Sequence, residues 1–588
     1  PPPPAPGAVM RKGRLPMMLP VPRFITGLLA VVFLVPLAIA EEGRETVADE
    51  AGLLYSSQVL FGTDGFPQVT IGLMDGQQSV RLSSPEGLVL TYMAADSGDT
   101  RQTTLDVVDG ASRGFEIEDA TGAKVTYRCG VASLRFNEKS LLDKRIAMWR
   151  TRGERVQVFE TGSVFGIRGH VIDNRTYVLA IRSFANEDEA RRAAAGIFDR
   201  FGTRTFVHAH LSRRPSGTIR VIDESGKRLA LASDLVTVRP AGSGPISVRR
   251  VEYGKGYRWH GFEDRRYAGT ILITFDRNGR LAVVNRVGVE RLLDGLVPVE
   301  INPAAPMEAL KAQAVVARGE VFAKIGARHF MDPYLLCAAT HCQVYSGVDV
   351  EKDRPGRAVR STRGELLFLG AKLVDSVYSA SCGGHTENND TVWSDPPSPA
   401  LRGIGDMPLG EALNWPSPES DLHAWLTVSP PVWCRLSTLN REGLFRWSKV
   451  ISSEEMDRLV AKVKPIGQVV SIQVLSRGVS GRVKVVRVVG TGGDLLVQRE
   501  WPVRQLFGNL RSGMFEVEVQ FDAEQMPIAF SFHGGGWGHG VGLCQIGAVG
   551  MAEHAHDYGQ ILGHYYGGAR VFRLYGAIRN LAPGSLGH

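Results

Sequence analysis

Six cysteines in 588 residues, irregularly placed at Cys129, Cys337, Cys342, Cys382, Cys434 and Cys544, are too few for a disulfide scaffold. No stretch beyond residue 40 is apolar for the roughly 20 residues a membrane-spanning helix needs. That part of the chain also lacks long-period repeats and low-complexity tracts, which excludes repeat arrays. A GxSxG elbow is absent, which removes the main support for a Ser/His hydrolase. Positive charge is not concentrated. The formal net charge is +7, but Arg11, Lys12, Arg14 and Arg23 lie within the first forty residues, where there are no acids. The remainder is close to balance, which argues against a nucleic-acid partner.

What is present fits a globular protein of two to four domains, with 44% hydrophobic and 22% charged residues. Residues 1–40 read as an upstream leader and secretory signal peptide. Basic residues precede the apolar run ITGLLAVVFLVPLAIA, and Ala38-Ile39-Ala40 supplies a small-x-small cleavage pattern. The expected location is therefore outside the cytoplasm, in the periplasm or cell envelope. A membrane enters only if the leader is retained. Export permits disulfides, so single bridges Cys337–Cys342 or Cys342–Cys382 stay open.

Short alternating runs ended by Gly, Asp or Ser predict β-hairpins and a β-rich region over 41–150. Residues 151–240 contain a strand, a helix capped by Asn186 with Ala190, Ala194, Ile197 and Phe201 at helical spacing, and a second strand. PAGSGPISV, at 240–248, reads as a linker. Farther on, MEALKAQAVVARGEVFAKIG predicts a helix from Met307 that stops at Gly326. Gly319 inside it costs roughly 1 kcal/mol against alanine. Glu300 stands at the joint before this helix, among Val297, Pro298, Val299 and Ile301. Apolar neighbours raise a carboxyl pKa, so this glutamate is placed either as an exposed loop charge or as a proton donor. His329, Cys337, His341 and Cys342 are dense enough to form a tetrahedral zinc shell, with Cys382 and His385 as competing ligands.

Three segments, in this order, resemble the SpoIID/LytB family of sporulation stage II protein D-like cell-wall proteins. They are VERLLDGLVPVEINPAAPMEALKAQAVVARGEVFA, RHFMDPYLLCAATHCQVYSG with VDSVYSASCGGHTENNDTVW, and FHGGGWGHGVGLCQIGAVGMAEHAHDYGQILGHYYGGARV. The resemblance covers about 249–575. The family helix commonly continues with an aromatic or hydroxyl residue after the arginine, whereas Gly319 and Glu320 follow Arg318 here. The shorter β-α-β piece resembles half of a SPOR-type peptidoglycan-binding module, with a plain accessory α/β segment as its alternative.

The expected fold class is α+β: a strand-rich SpoIID-like catalytic region at 249–580 with a few packed helices, preceded by the β-rich region and a small α/β accessory region at 151–240. The resemblance implies a lytic transglycosylase acting on peptidoglycan glycan strands, with Glu300 as the catalytic acid. Protonating the bond between MurNAc and GlcNAc needs a carboxyl of raised pKa, and attack by the substrate's own C6 hydroxyl removes the need for a second carboxylate. It also implies a structural zinc at His329, Cys337, His341 and Cys342. Trp537 is expected to stack on a sugar ring. His539, Gln545, Ser379, Ser381 and Thr386 are expected to bond sugar hydroxyl or acetamido groups. The alternative function is a non-catalytic wall-binding protein that enhances a cell-wall amidase.

Overall fold

The computed structural model describes residues 49–576 apart from 57, 64, 97–101, 108–109, 204, 256–258, 394–395, 409–417 and 429. The leader therefore lies outside the described residues. No helix among them is long and apolar enough to cross a membrane.

Strands dominate, as expected for α+β, because the alternating runs pair across long sequence distances. Among the described residues the largest sheet has 13 strands. Pro67–Gln77 pairs antiparallel with Leu281–Gly288, and Ser216–Ile222 lies between Arg113–Thr121 and Arg228–Pro240. Segments from both sides of residue 240 thus share one sheet. The stretch read as a linker is instead a connection between two strands of that sheet, Arg228–Pro240 and Ile246–Tyr253. Glu86 accepts a hydrogen bond from the Ser243 N–H there at 2.9 Å. The boundary expected at 150 falls within the helix Lys139–Thr151.

A second, four-stranded sheet contains Lys124–Arg135, Val156–Thr161, Thr176–Phe184 and Phe206–Arg213. Helices Lys139–Thr151 and Glu187–Phe201 contribute Leu142, Trp149, Ala194 and Ile197 to its core. Asn186 caps the second helix through Asp188 and Glu189, and Gly202 ends it in the left-handed region at φ 61°. A third core, from Trp447 to Phe532, gathers two three-stranded sheets.

The helix Met307–Lys324 departs from the one-faced pattern. Ala312, Gln313, Val316, Arg318 and Glu320 are buried along with the expected apolar positions, so protein surrounds it. Arg318 is fully buried and grips Glu290 through two 2.8 Å contacts, Nε to Oε1 and Nη2 to Oε2. The accessory region closes the helix's other end. Asn174 donates its side-chain amide to the carbonyls of Phe322, Ala323 and Ile325, at 3.3, 3.0 and 2.9 Å. These are carbonyls a helix end leaves without intrahelical partners.

Candidate active site

Glu300 ends a single helical turn, Val297–Glu300, entered through Pro298. Asn302 then turns the chain by accepting the Ala304 N–H at 2.9 Å, and Pro306 leads into the long helix. The Glu300 carboxylate receives the Val344 N–H on Oε1 at 2.7 Å. The residue is half-buried. Desolvation raises its pKa to about 7, with hydrogen bonds from Val344 and Tyr378 opposing the rise. The Tyr378 hydroxyl has one proton to share between Glu300 and Gln343 Oε1, the latter at 2.8 Å. Glu320, buried on the long helix, is pushed up to about 8, chiefly by burial, with Lys324 opposing and Asp375 and Glu300 adding repulsion.

The C-terminal glycine motif is bound directly to this turn. Gln545 Nε2 donates to the Glu300 carbonyl at 2.7 Å and to Gln313 Oε1 at 3.2 Å. Tyr378–Ser379 pairs in parallel with Leu543–Cys544. Ser381 and Trp537 exchange main-chain hydrogen bonds of 3.1 and 2.8 Å. All three sequence segments meet at Glu300, two at its carboxyl group and the third at its main-chain carbonyl.

Most of the residues expected to touch sugar make hydrogen bonds within this junction. Ser379 is buried and accepts the Gly540 N–H at 3.2 Å. Ser381 is buried and faces the Gly383 N–H at 3.4 Å. Buried Thr386 donates to the Ile404 carbonyl at 3.2 Å and accepts its N–H at 2.8 Å. Gln545 is buried, and its amide nitrogen is spent on the Glu300 backbone. His539 accepts the Val541 N–H on Nδ1 at 3.0 Å and packs on Trp393 at 4.9 Å. Burial drives its pKa down to about 3, so the ring is neutral. Ser379, Ser381, Thr386 and His539 share one physical reason: these loops bury main-chain N–H groups that must find acceptors, whereas Gln545 answers a buried carbonyl. Trp537 differs, with 39% of its surface exposed and Arg511 lying 4.7 Å over its ring. A cavity of about 580 Å³ adjoins it, lined by Arg446, Trp447, Arg511 and His533 among others; Glu300 does not line it.

Sequence reasoning missed Gln343, Val344, Tyr378 and Glu320 around the carboxyl. Val344 acts through its main chain, which no side-chain motif reveals. Tyr378 stood within a quoted motif, but its partner is 78 positions away in sequence.

His329, Cys337, His341 and Cys342 also converge, with one donor atom from each lying within 4.8 Å of all the others. Individual separations are 3.2 Å between His329 Nε2 and His341 Nδ1, 3.4 Å from His329 Nε2 to Cys342 Sγ, and 3.7 and 3.8 Å from His341 Nδ1 to the two sulfurs. Tetrahedral zinc bonds imply N–N edges of about 3.3 Å and N–S edges of about 3.6 Å. Asp332 Oδ2 lies 2.9 Å from His329 Nδ1, the carboxylate support that metal-bound histidines usually have. The donor set therefore fits a four-coordinate divalent ion. Cys337 belongs to the short strand Leu336–Cys337, which pairs in parallel with Pro67–Gln77, so the N-terminal region helps place this loop.

Residues 277–369 match the family described as stage II sporulation protein, and residues 387–542 match a domain of unknown function, DUF8618. An uncharacterised protein of Brachyspira hyodysenteriae is 28% identical over 316 residues, covering 54% of this chain and 74% of that protein. The amidase enhancer of Bacillus subtilis is 27% identical over 296 residues, covering 47% of this chain and 40% of the enhancer. The stage II sporulation protein D of Bacillus amyloliquefaciens is 24% identical over 306 residues, covering 49% and 75%. The first matched segment contains Glu300 and the four His/Cys ligand candidates; the second contains Trp537 and His539.

Proposed function

Because the chain belongs to the SpoIID/LytB family, we propose that it has a cell-wall role, as an exported lytic transglycosylase cutting peptidoglycan glycan strands. The observation that carries this reading is the desolvated Glu300 carboxyl, raised to about 7, on a residue whose main-chain carbonyl is tied to the glycine motif through Gln545. Near neutrality a substantial share of it is protonated. It gives that proton to the oxygen bridging MurNAc and GlcNAc as the anomeric C–O bond breaks. The C6 hydroxyl of the same MurNAc attacks the anomeric carbon, and the Glu300 carboxylate takes the hydroxyl proton. A 1,6-anhydro terminus results, and the enzyme regains its acid.

Glu320 supports this choice over a two-carboxylate hydrolase. It is buried, and burial raises its pKa to about 8, which disfavours an ionised base there near neutrality. Trp537 offers an exposed ring to a pyranose farther along the strand. His329, Cys337, His341 and Cys342 would hold a structural zinc, which pins the loop that presents Val344 to Glu300.

The name of the Bacillus subtilis relative favours a second reading, a wall-binding partner of a cell-wall amidase. Incubating the purified protein with isolated glycan strands and weighing the products by mass spectrometry separates the two. The proposal expects anhydro-muramyl ends from the wild type and none from a folded Glu300→Gln variant. Binding without any cleavage by the wild type favours the enhancer.

A further inference from the structure

A second donor cluster lies in the core, apart from both Glu300 and the His329 loop. Cys382, Asp406, Cys434 and Cys544 are all fully buried, and one donor atom from each lies within 4.8 Å of all the others. Cys382 Sγ and Cys434 Sγ are 3.8 Å apart. That is about the sulfur–sulfur edge of a tetrahedral zinc shell with bonds near 2.3 Å. It is also far longer than a disulfide bond of about 2.05 Å.

The surroundings are those of a ligand shell. The Cys382 and Gly547 N–H groups donate to Cys544 Sγ at 3.2 and 3.3 Å, the pattern that stabilises a thiolate. Asp406 is oriented from two sides, by the Cys434 N–H on Oδ2 at 2.9 Å and the Tyr565 hydroxyl on Oδ1 at 2.5 Å. Gly547 leaves room for this carboxylate. A Cβ there would stand 2.7 Å from Asp406 Oδ1 and 2.2 Å from the Tyr565 hydroxyl. Arg446, bonded to the carbonyls of Leu426, Gly383 and Trp425, lies close enough to Cys382 and Cys434 to offset negative charge. A carboxylate among three sulfurs in an apolar core is costly without a counter-ion. Soft thiolates with one carboxylate suit zinc better than the hard, all-oxygen cations.

We propose that Cys382, Asp406, Cys434 and Cys544 form a second, buried structural zinc site. Its ligands come from four separate stretches. Cys382 follows the Ser381–Trp537 junction, and Cys544 immediately precedes Gln545, the residue that holds the Glu300 carbonyl. The ion would staple the SCGG loop to the glycine motif. A closed four-ligand shell leaves no position for an activated water, so the role is architectural. This inference uses neither Glu300 chemistry nor the first metal cluster, and it stands or falls separately from them.

The test is metal stoichiometry on the full chain, purified reduced and without chelator. The site predicts that a Cys337→Ser/Cys342→Ser variant keeps one equivalent of zinc. Cobalt exchanged into that variant should give sulfur-to-cobalt charge-transfer absorption, a readout that leaves the buried cluster intact. Adding Cys434→Ser should lower zinc from one equivalent to none and abolish the band. Absence of both metal and band from the folded double variant would overturn the proposal. So would a Cys382–Cys434 disulfide found by peptide mapping of the native protein.

Discussion

At the residue scale, the proposed chemistry rests on a single carboxyl group, and pH is its most revealing variable. In the proposed reaction Glu300 must be protonated to act, and its pKa is raised to about 7, so cleavage should fall as pH rises through that value. The Tyr378 hydrogen bond lowers this pKa; Tyr378→Phe should therefore move the alkaline limb of the rate profile upward. An unmoved limb would show that another group sets it. Stability carries the same signature. The folded-state pKa is raised above the ordinary 4.5, so the folded chain binds this proton more tightly than the unfolded chain. The associated stability is fully present below about pH 4.5 and is lost as pH climbs through 7. Glu300→Gln should thus match the wild type near pH 4.5 and exceed it at pH 8, by on the order of 1–3 kcal/mol, in denaturant titrations at the two pH values. The desolvation of Glu300 was legible in sequence, because a lone glutamate among apolar residues before a helix implies it. The internal hydrogen bonds of the hydroxyl and amide residues near the glycines were not legible. Their sequence shows polar groups near glycines but not that the main chain consumes them.

At the element scale, the long helix is held by contacts no periodicity announces. Gly319 looked like a cost to be relieved by alanine. In the fold, a Cβ there would lie 2.2 Å from Ser376 Oγ, which itself donates to the Val316 carbonyl at 2.8 Å. Gly319→Ala should therefore destabilise by about 1–3 kcal/mol instead of stabilising. Adding Ser376→Ala removes the clashing oxygen and should restore part of the loss, as melting curves of the single and double variants would show. Arg318 and Glu290 form a buried pair reinforced by Gly364 N–H and Tyr575 hydroxyl donors to Glu290. Removing one partner, as in Arg318→Met, strands a buried charge and should cost about 3–5 kcal/mol. The helix bounds were readable from composition. Its burial on every side was not, because that depends on strands and loops hundreds of residues away.

At the scale of the whole molecule, the N-terminal and central regions are not separable parts. Pro67–Gln77 pairs with both Leu281–Gly288 and the Cys337 strand, and Asn174 caps the long helix. A fragment beginning at residue 249, a boundary natural to the sequence pattern, should lose these partners and fail to fold cooperatively by circular dichroism and thermal melting. Alternation identified strands there but could not reveal which distant strand each would meet. The family motifs told which segments converge without telling that Gln545 is the link. The central claim is that an acid at position 300 works with the sugar's own hydroxyl and not with water. Cleavage of glycan strands in heavy-oxygen water, followed by mass analysis of the new termini, tests it most directly. The account predicts unlabelled anhydro ends; heavy oxygen incorporated at each newly formed terminus would contradict it.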